Sequence, residues 1–445
     1  MDTNFAISQY PDAAAITKQL NELISTPVHS ISKEALEQYE TEYYGKKCTK
    51  SKQMIDVAKT LIPGGVQHNL AFNHPFPLVF SKASGAYLYD IDGNQYYDFL
   101  QAGGPTVLGS NPEIVREKVI ELLNDCGPST GLFHEFEYKL AQKISEHIPS
   151  VEMFRMLGSG TESCMAAIRV ARLATGKKNI LKMGGAYHGW SDQLAYGIRI
   201  PGSKWTQAHG VPHFSFKRTD EFFPNDLKDL ERKLRRNRLH GGTAAVMIEP
   251  VGPESGTRPV DMNFNKGVEA LCRKYGALLI FDEVVTAFRI GMAGAQGYYG
   301  VTPDLTVFVA GYYTLCEIER TKAAKVAGEM GDRLNKGLQE LIKKYNLPFV
   351  AFNQGSICHL ETVGAMHFSI NWKKPWTIPQ VLEQTSKRKK EMEHMGAAYM
   401  AEGIVTLAGS RLYTSAAYTE EMIDDALSRF ERVFQKIVNK ETEQN

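Results

Sequence analysis

The stretch Leu278–Gly291, LLIFDEVVTAFRIG, decides how the rest of the chain is read. With Ala277 it opens as an apolar run of strand length, too short for an amphipathic helix, and it runs straight into Asp282 and Glu283. Upstream, Lys266–Tyr275 reads as a helix with Val268, Leu271 and Cys272 on one face and a stop at Gly276. Before it, AAVMIEP (Ala244–Pro250) reads as a second strand. Strand, helix, strand in this order implies a parallel sheet covered on both faces. In such sheets ligands gather at the carboxyl ends of the strands, where Glu249 and Asp282 fall one crossover apart. An acid after a strand often caps the next turn. Two acids beside a buried strand are partly desolvated, and a buried carboxylate needs a cation or several donors.

Outward from this stretch, residues 110–308 alternate between strand and helix. Glu113–Cys126 and Glu135–His147 are amphipathic helices. SGTESCMAAIRVARLATG begins as a turn and becomes a helix that stops at Gly176, and NILKM follows as a short strand. Residues 1–52 are mixed and polar. GAYLYDIDGNQYYDFL (Gly85–Leu100) carries a hairpin signal at Asp92-Gly93. The expected class is α/β, with a large, mostly parallel domain and a smaller α+β domain. The expected divisions are a helical arm (1–55), the first part of the small domain (56–108), the large domain (109–315) and the rest of the small domain (316–445).

The 445 residues are 43% hydrophobic and 23% charged, with net charge +1. No strong field points toward nucleic acid or an anionic membrane. The basic run Leu230–Gly242 reads as the solvated face of a helix. Six cysteines include no C-x-x-C pair, which fits a reducing compartment and gives no zinc site. No signal-like start and no apolar run of membrane-spanning length is present, so the expectation is a cytoplasmic protein.

Three kinds of site could account for Asp282. Magnesium on a nucleotide requires a P-loop. The nearest string, ARLATGKKN, has Ala171 where the first glycine belongs and Lys178 where the hydroxyl belongs. A dinucleotide site requires G-x-G-x-x-G after a strand. GSGTES (Gly158–Ser163) follows VEMFRML, a candidate strand, but lacks the last glycine, and Lys182 stands where an acid belongs. The third is a protonated pyridine ring, which a carboxylate keeps protonated at neutral pH. It calls for a phosphate cup and an aromatic lid. GSGT before a helix offers amides and the hydroxyls of Ser159 and Thr161, and GGAYHGW places Tyr187 and His188 in a glycine-flanked loop.

With DIDGNQYYDF, GSGTES, AYHGW, IEPVGPESG, LLIFDEVVTAFR and GVTPDLTVF in this order, the chain resembles the class III aminotransferases, and most the glutamate-1-semialdehyde aminomutase branch, from Ile62 to about Tyr418. The resemblance implies fold type I of the pyridoxal-phosphate transferases, pyridoxal 5'-phosphate as cofactor, no metal, and a homodimer. It implies that Ser159, Gly160 and Thr161 hold the phosphate. It also implies that Tyr187 stacks on the ring beside His188, Asp282 pairs with the ring nitrogen, Val284 packs on the opposite ring face, and Glu249 is an active-site acid. Glu254 falls where the aminomutase branch carries an amide. Leu70 and Ala71 fall near the branch's substrate-gripping arginine, so a copy of that specificity is not expected.

The pattern breaks between Phe308 and Val309. In the family a Gly-Lys follows PDLT, the lysine forming the Schiff base. Here PDLTVF runs into VAGYYTLCEIER, which resembles a helix several dozen positions further on. The catalytic lysine has no counterpart, and Lys322 and Lys325 are not assigned its role. The segment is either deleted or belongs to the natural protein and is missing from this sequence. The second is expected, because a deletion through a fold's centre exposes core. The implied function is amino-group transfer, of aminotransferase or 2,1-aminomutase type, on an amino acid or an amino-aldehyde or keto substrate. Two alternatives stand: a catalytically impaired binding or scaffold protein, and an amino-acid racemase.

Overall fold

Leu278–Asp282 is a strand in the computed structural model, which describes residues 5–125 and 131–443. It is β4 of a sheet formed with β1 (Asn179–Met183), β2 (Thr219–Phe222), β3 (Thr243–Ile248) and β5 (Leu305–Val307), in the order β2-β1-β3-β4-β5. All neighbours are parallel, with Val246 opposite Leu279 and Ile248 opposite Phe281.

Successive side chains of these strands enter opposite faces. Leu181, Val246, Ile248, Leu279 and Phe281 pack with α2 (Leu227–Arg238) and α3 (Phe264–Tyr275). Ile180, Ala245, Met247 and Ile280 pack with Cys164, Ala167, Ile168 and Ala171 of α1 (Gly160–Thr175). Both faces are covered, which is why the strands read as continuous apolar runs rather than alternating ones. Each fully buried Leu, Ile or Phe contributes roughly 1.5–3 kcal/mol. Gly176 ends α1 in the left-handed region (φ +66°), its amide bonded to Arg172 O at 3.0 Å.

The described chain divides into two compact units. The first takes in residues 5–17, 120–324 and 366–382, and the second 18–119, 325–365 and 383–443. In the second, Tyr87–Asp90 and Gln95–Asp98 pair antiparallel around the Asp92-Gly93 turn, within a four-stranded sheet. Its core gathers Phe99, Leu334, Tyr399, Tyr418 and Phe430.

Three features differ from expectation. Residues 18–55 are not an appended arm: Ile31, Ala35 and Tyr39 sit in the second unit's core, where spaced single apolar residues suffice to anchor them. Residues 366–382 return to the first unit, tied by bonds to main-chain carbonyls that leave no periodicity in sequence. Ile370 N donates to Pro201 O (2.9 Å), and Arg258 Nη2 donates to Met366 O (3.0 Å). VEMFRML forms no strand. The sheet ends at β5, whose third and last residue is Val307. Phe154 stacks on Phe308 instead of pairing beside it (5.9 Å), and Met153 is 94% exposed. Between β5 and α4 (Tyr312–Thr321) the chain passes directly through Phe308–Gly311, with Val309 half exposed. Helix Glu113–Asp125 is present, and Cys126 lies outside the described residues.

Candidate active site

The carboxyl ends of the adjacent strands β1, β3 and β4 carry His188, Glu249 and Asp282 respectively. The two acids that end β4 diverge. Glu283, fully buried, accepts from Ala295 N (2.6 Å), Thr286 Oγ1 (3.0 Å) and Gln296 Nε2 (3.1 Å). Burial raises its carboxyl, while these donors work against that. It is a structural anchor for the segment that follows the strand.

Asp282 is 6% exposed. Its Oδ1 accepts from Val284 N (3.1 Å), and its Oδ2 accepts from His188 Nδ1 (2.7 Å). Because the carboxylate accepts, the imidazole proton sits on Nδ1 and Nε2 is left as an acceptor. Nε2 is buried and has no hydrogen-bond partner among the described residues. Burial lowers the His188 pKa, and the bond to Asp282 partly restores it. Cys164 Sγ points at Asp282 Oδ2 from α1 (3.7 Å), its thiol raised by burial and by the Asp282 charge. Each Asp282 oxygen therefore retains acceptor capacity beside an apolar wall, an arrangement suited to a cationic N–H.

The 159–161 turn lies alongside. Ser159 caps α1, its Oγ accepting from Glu162 N (3.2 Å). The amides of Gly160 and Thr161, at the positive end of the helix, have no protein acceptor among the described residues. A Cβ on Gly160 would stand 3.4 Å from Val284 Cγ2, so turn and strand end are in contact. The 184–190 loop closes on the same turn: a Cβ on Gly189 would fall 2.3 Å from Thr161 Oγ1. In this loop Tyr187 is 50% exposed and His188 is buried. Two lines of main chain and one strand end thus bring Ser159, Gly160, Thr161, Tyr187, His188, Asp282 and Val284 together.

Glu249 joins them through the backbone. Oε1 accepts from Tyr187 N (2.9 Å) and Glu254 N (3.1 Å), and Oε2 accepts from Ser255 N (2.8 Å). Glu254 and Ser255 hold positive φ (51° and 59°), which turns both amides toward the carboxylate. Burial first, then the Asp282 charge, pushes the Glu249 carboxyl up to about 8. An acid raised in this way binds its proton more tightly folded than unfolded. Its contribution to stability is complete below the ordinary carboxylate pKa and is lost as pH rises through about 8. Chemical-denaturation stability is expected to fall between about pH 4.5 and 8, and Glu249→Gln is expected to flatten that slope.

Sequence reasoning misses Lys182. Its ammonium is fully buried in β1 and donates to Ala186 O and Leu194 O (both 3.1 Å) and to Tyr196 O. Burial pulls it down to about 8. It ties both ends of the loop that carries Tyr187 and His188 to the sheet. The signal is a lone lysine in the apolar NILKM, which a search for a ribose-binding acid at that position passes over. Among the described residues no cluster of three or more His, Cys, Asp or Glu side chains is placed to hold a metal ion, and no helix is long and apolar enough to cross a membrane.

The family profile Aminotransferase class-III matches residues 70–312, more than half of the chain. The chain belongs to the class-III aminotransferases. The match ends four residues beyond Phe308, where the sequence pattern breaks. Glutamate-1-semialdehyde 2,1-aminomutase 1 of Lachnoclostridium phytofermentans is 41% identical over 265 residues, 58% of this chain and 61% of that protein. The chain thus spans about three-fifths of the length of the curated relatives it matches. Among solved structures, an omega-transaminase from Sphaerobacter thermophilus superposes with a TM-score of 0.75 at 22% identity, covering 88% of this chain and 99% of that one. A glutamate-1-semialdehyde aminomutase from Pseudomonas aeruginosa PAO1 superposes with 0.73 at 18% identity, covering 96% and 99%. These likenesses carry the fold: this class-III chain has the mixed α/β architecture of fold type I.

Proposed function

We propose that the site binds a vitamin-B6 phosphate and is built for amino-group transfer, of aminotransferase or 2,1-aminomutase type, on an amino acid or an amino-aldehyde or keto compound. The observation that carries this reading is Asp282. It is a buried carboxylate held on one oxygen by His188 and on the other by Val284 N, at the same strand ends as an anion-receptive helix start. Pyridoxal 5'-phosphate supplies a carbonyl for amines and a ring that takes up electrons when protonated. The residues fit it. The Gly160 and Thr161 amides, with the hydroxyls of Ser159 and Thr161, receive a phosphate. Asp282 holds the proton on a pyridine nitrogen. Tyr187 and Val284 offer a ring and an apolar surface to the two faces, and His188 fixes the direction of the carboxylate. Glu249 sets Tyr187 through its amide. A homodimer in a cytoplasmic setting completes the reading. The relatives named as aminomutases support the isomerising version.

A second reading, a binding protein with little turnover, is favoured by one observation: no lysine occurs between Lys274 and Lys322. Lys182, buried close to the site, is committed to three carbonyls. A positioned proton-transfer group contributes about 10²–10⁴-fold in rate, so this sequence is expected to hold its cofactor non-covalently and to turn over slowly by that factor. The test is reduction of the pyridoxal-phosphate-loaded chain with borohydride, followed by intact mass. An unchanged mass, with the cofactor's absorbance removed on gel filtration, is the expected result. A gain of one cofactor mass contradicts non-covalent retention.

A further inference from the structure

The string ARLATGKKN, which fails as a P-loop, ends up elsewhere. It lies at the carboxyl end of α1, not at a helix start, and its basic residues line a cleft of about 650 Å³ at the amino ends of the strands. Arg172, Lys177, Lys178 and Arg218 surround this cleft with one acid, Asp192, and the ring of Phe214. The carboxyl ends of β1, β3 and β4, where Asp282 sits, are at the opposite edge of the sheet.

The four cations differ from their neighbours. Lys233 and Arg236 pair with Asp220 (3.3 and 2.8 Å), Arg273 with Asp304 (2.6 Å), and Lys274 with Glu231 (2.5 Å). Arg172, Lys177, Lys178 and Arg218 make no ion pair among the described residues. Three of them are instead held in place by neutral acceptors. Arg172 donates to Lys178 O (3.0 Å) and Gln193 Oε1 (2.6 Å), Lys177 to Tyr275 O (2.9 Å), and Arg218 to His240 O (3.0 Å). These bonds orient the groups and leave their charge unspent.

The plain alternative is that the cations only complement helix ends. Three helices, α1, α2 and α3, finish here, each worth about half a negative charge. Asp192 removes one of the four positive charges and the helix ends about half of the remaining three, so roughly one and a half are left over. Phe214 is 78% exposed and stacks on no described aromatic ring. The volume lies in the range of small-molecule sites, about 300–1,000 Å³.

We propose that this cleft is a second ligand site, for a nucleoside di- or triphosphate: phosphates on Arg172, Arg218, Lys177 and Lys178, the base on Phe214, and a ribose hydroxyl on Asp192. It is independent of the cofactor reading. The cleft is open, but an acid on its wall and a single ring, with no interleaved aromatic series, favour a mononucleotide over a strand of RNA.

The test is calorimetric titration of the full chain with ADP, adenosine, tripolyphosphate and a short RNA, with pyridoxamine 5'-phosphate added in a parallel series. ADP and tripolyphosphate are expected to bind saturably whether or not pyridoxamine 5'-phosphate is present, and adenosine not to bind. Affinity is expected to fall steeply between about 50 and 200 mM salt. Arg172→Gln with Arg218→Gln is expected to weaken ADP by about tenfold or more. Phe214→Ala is expected to weaken ADP and to spare tripolyphosphate. Should the double variant unfold, Lys178→Gln, which alters an exposed side chain, is expected to lower affinity by about threefold. The proposal is overturned if ADP gives no saturable heat, if the variants bind it as the parent does, if pyridoxamine 5'-phosphate displaces it, or if RNA binds and ADP does not.

Discussion

Asp282→Asn is expected to lower affinity for pyridoxamine 5'-phosphate by about 100-fold, because the carboxylate's hold on a ring proton is worth roughly two pKa units, or about 2.7 kcal/mol. The substitution preserves shape, and the amide oxygen can still accept from His188 Nδ1 or from Val284 N. What is lost is the charge. His188 acts through that charge. Its imidazole donates to Oδ2 and holds the carboxylate in one orientation against the β4 end. His188→Ala is therefore expected to weaken binding less than Asp282→Asn, since the charge survives and only its direction is freed. Isothermal titration of the three proteins checks both the size and the order of the effects. Equal affinity in Asp282→Asn and the parent chain would remove Asp282 from the site.

Gly189→Ala is expected to cost about 2–4 kcal/mol of stability and to abolish cofactor binding. Two causes combine. The backbone at 189 holds φ +84°, a region an alanine adopts only under strain, and the new Cβ would meet Thr161 Oγ1 at 2.3 Å and Thr161 Cα at 2.8 Å. The second contact is with backbone, so no rotamer change relieves it. The loop must withdraw from the helix start, taking Tyr187 and His188 with it. Gly210 provides the control. It has a similar φ, +75°, and a Cβ added there would meet nothing within 4 Å, so Gly210→Ala isolates the backbone strain at about 1 kcal/mol. Thermal and denaturant unfolding of the two variants, with cofactor titration of each, measures the difference. Equal destabilisation by both would mean that the loop does not bear on the 159–161 turn.

The middle of the sheet, β1, β3 and β4, is legible in the sequence because both its faces are buried, whereas the short strands β2 and β5 leave no such trace. Apolar strands and amphipathic helices of ordinary length leave a strong periodic trace, which Ala277–Phe281, Ala244–Pro250 and NILKM all carry. The gathering of Asp282 with Tyr187 and His188 follows from topology, since parallel strands deliver their following loops to one edge; the 159–161 turn, which follows no strand, joins them through its contacts with Val284 and Gly189. Less legible is anything fixed by main-chain bonds across long separations. The return of residues 366–382 to the first unit rests on contacts such as Ile370 N to Pro201 O, which no side-chain pattern reports. The failure of VEMFRML to form a strand has a similar origin. A strand needs a neighbour, and β5 ends after three residues where the family's pattern stops. Glu283 shows the limit for single residues. Sequence groups it with Asp282, and the alternation of side chains along the strand sends it instead to Ala295 and Gln296.

The central claim is that Asp282 keeps a proton on the nitrogen of a bound pyridine ring. The ring-nitrogen chemical shift of pyridoxamine 5'-phosphate labelled with ¹⁵N, recorded on the complex across neutral pH, measures that directly. The expected result is a pyridinium shift that persists to a pH well above that of the free compound, and a neutral-pyridine shift in the Asp282→Asn complex. A neutral-pyridine shift in the parent complex, or a shift that titrates as it does in free solution, would contradict it.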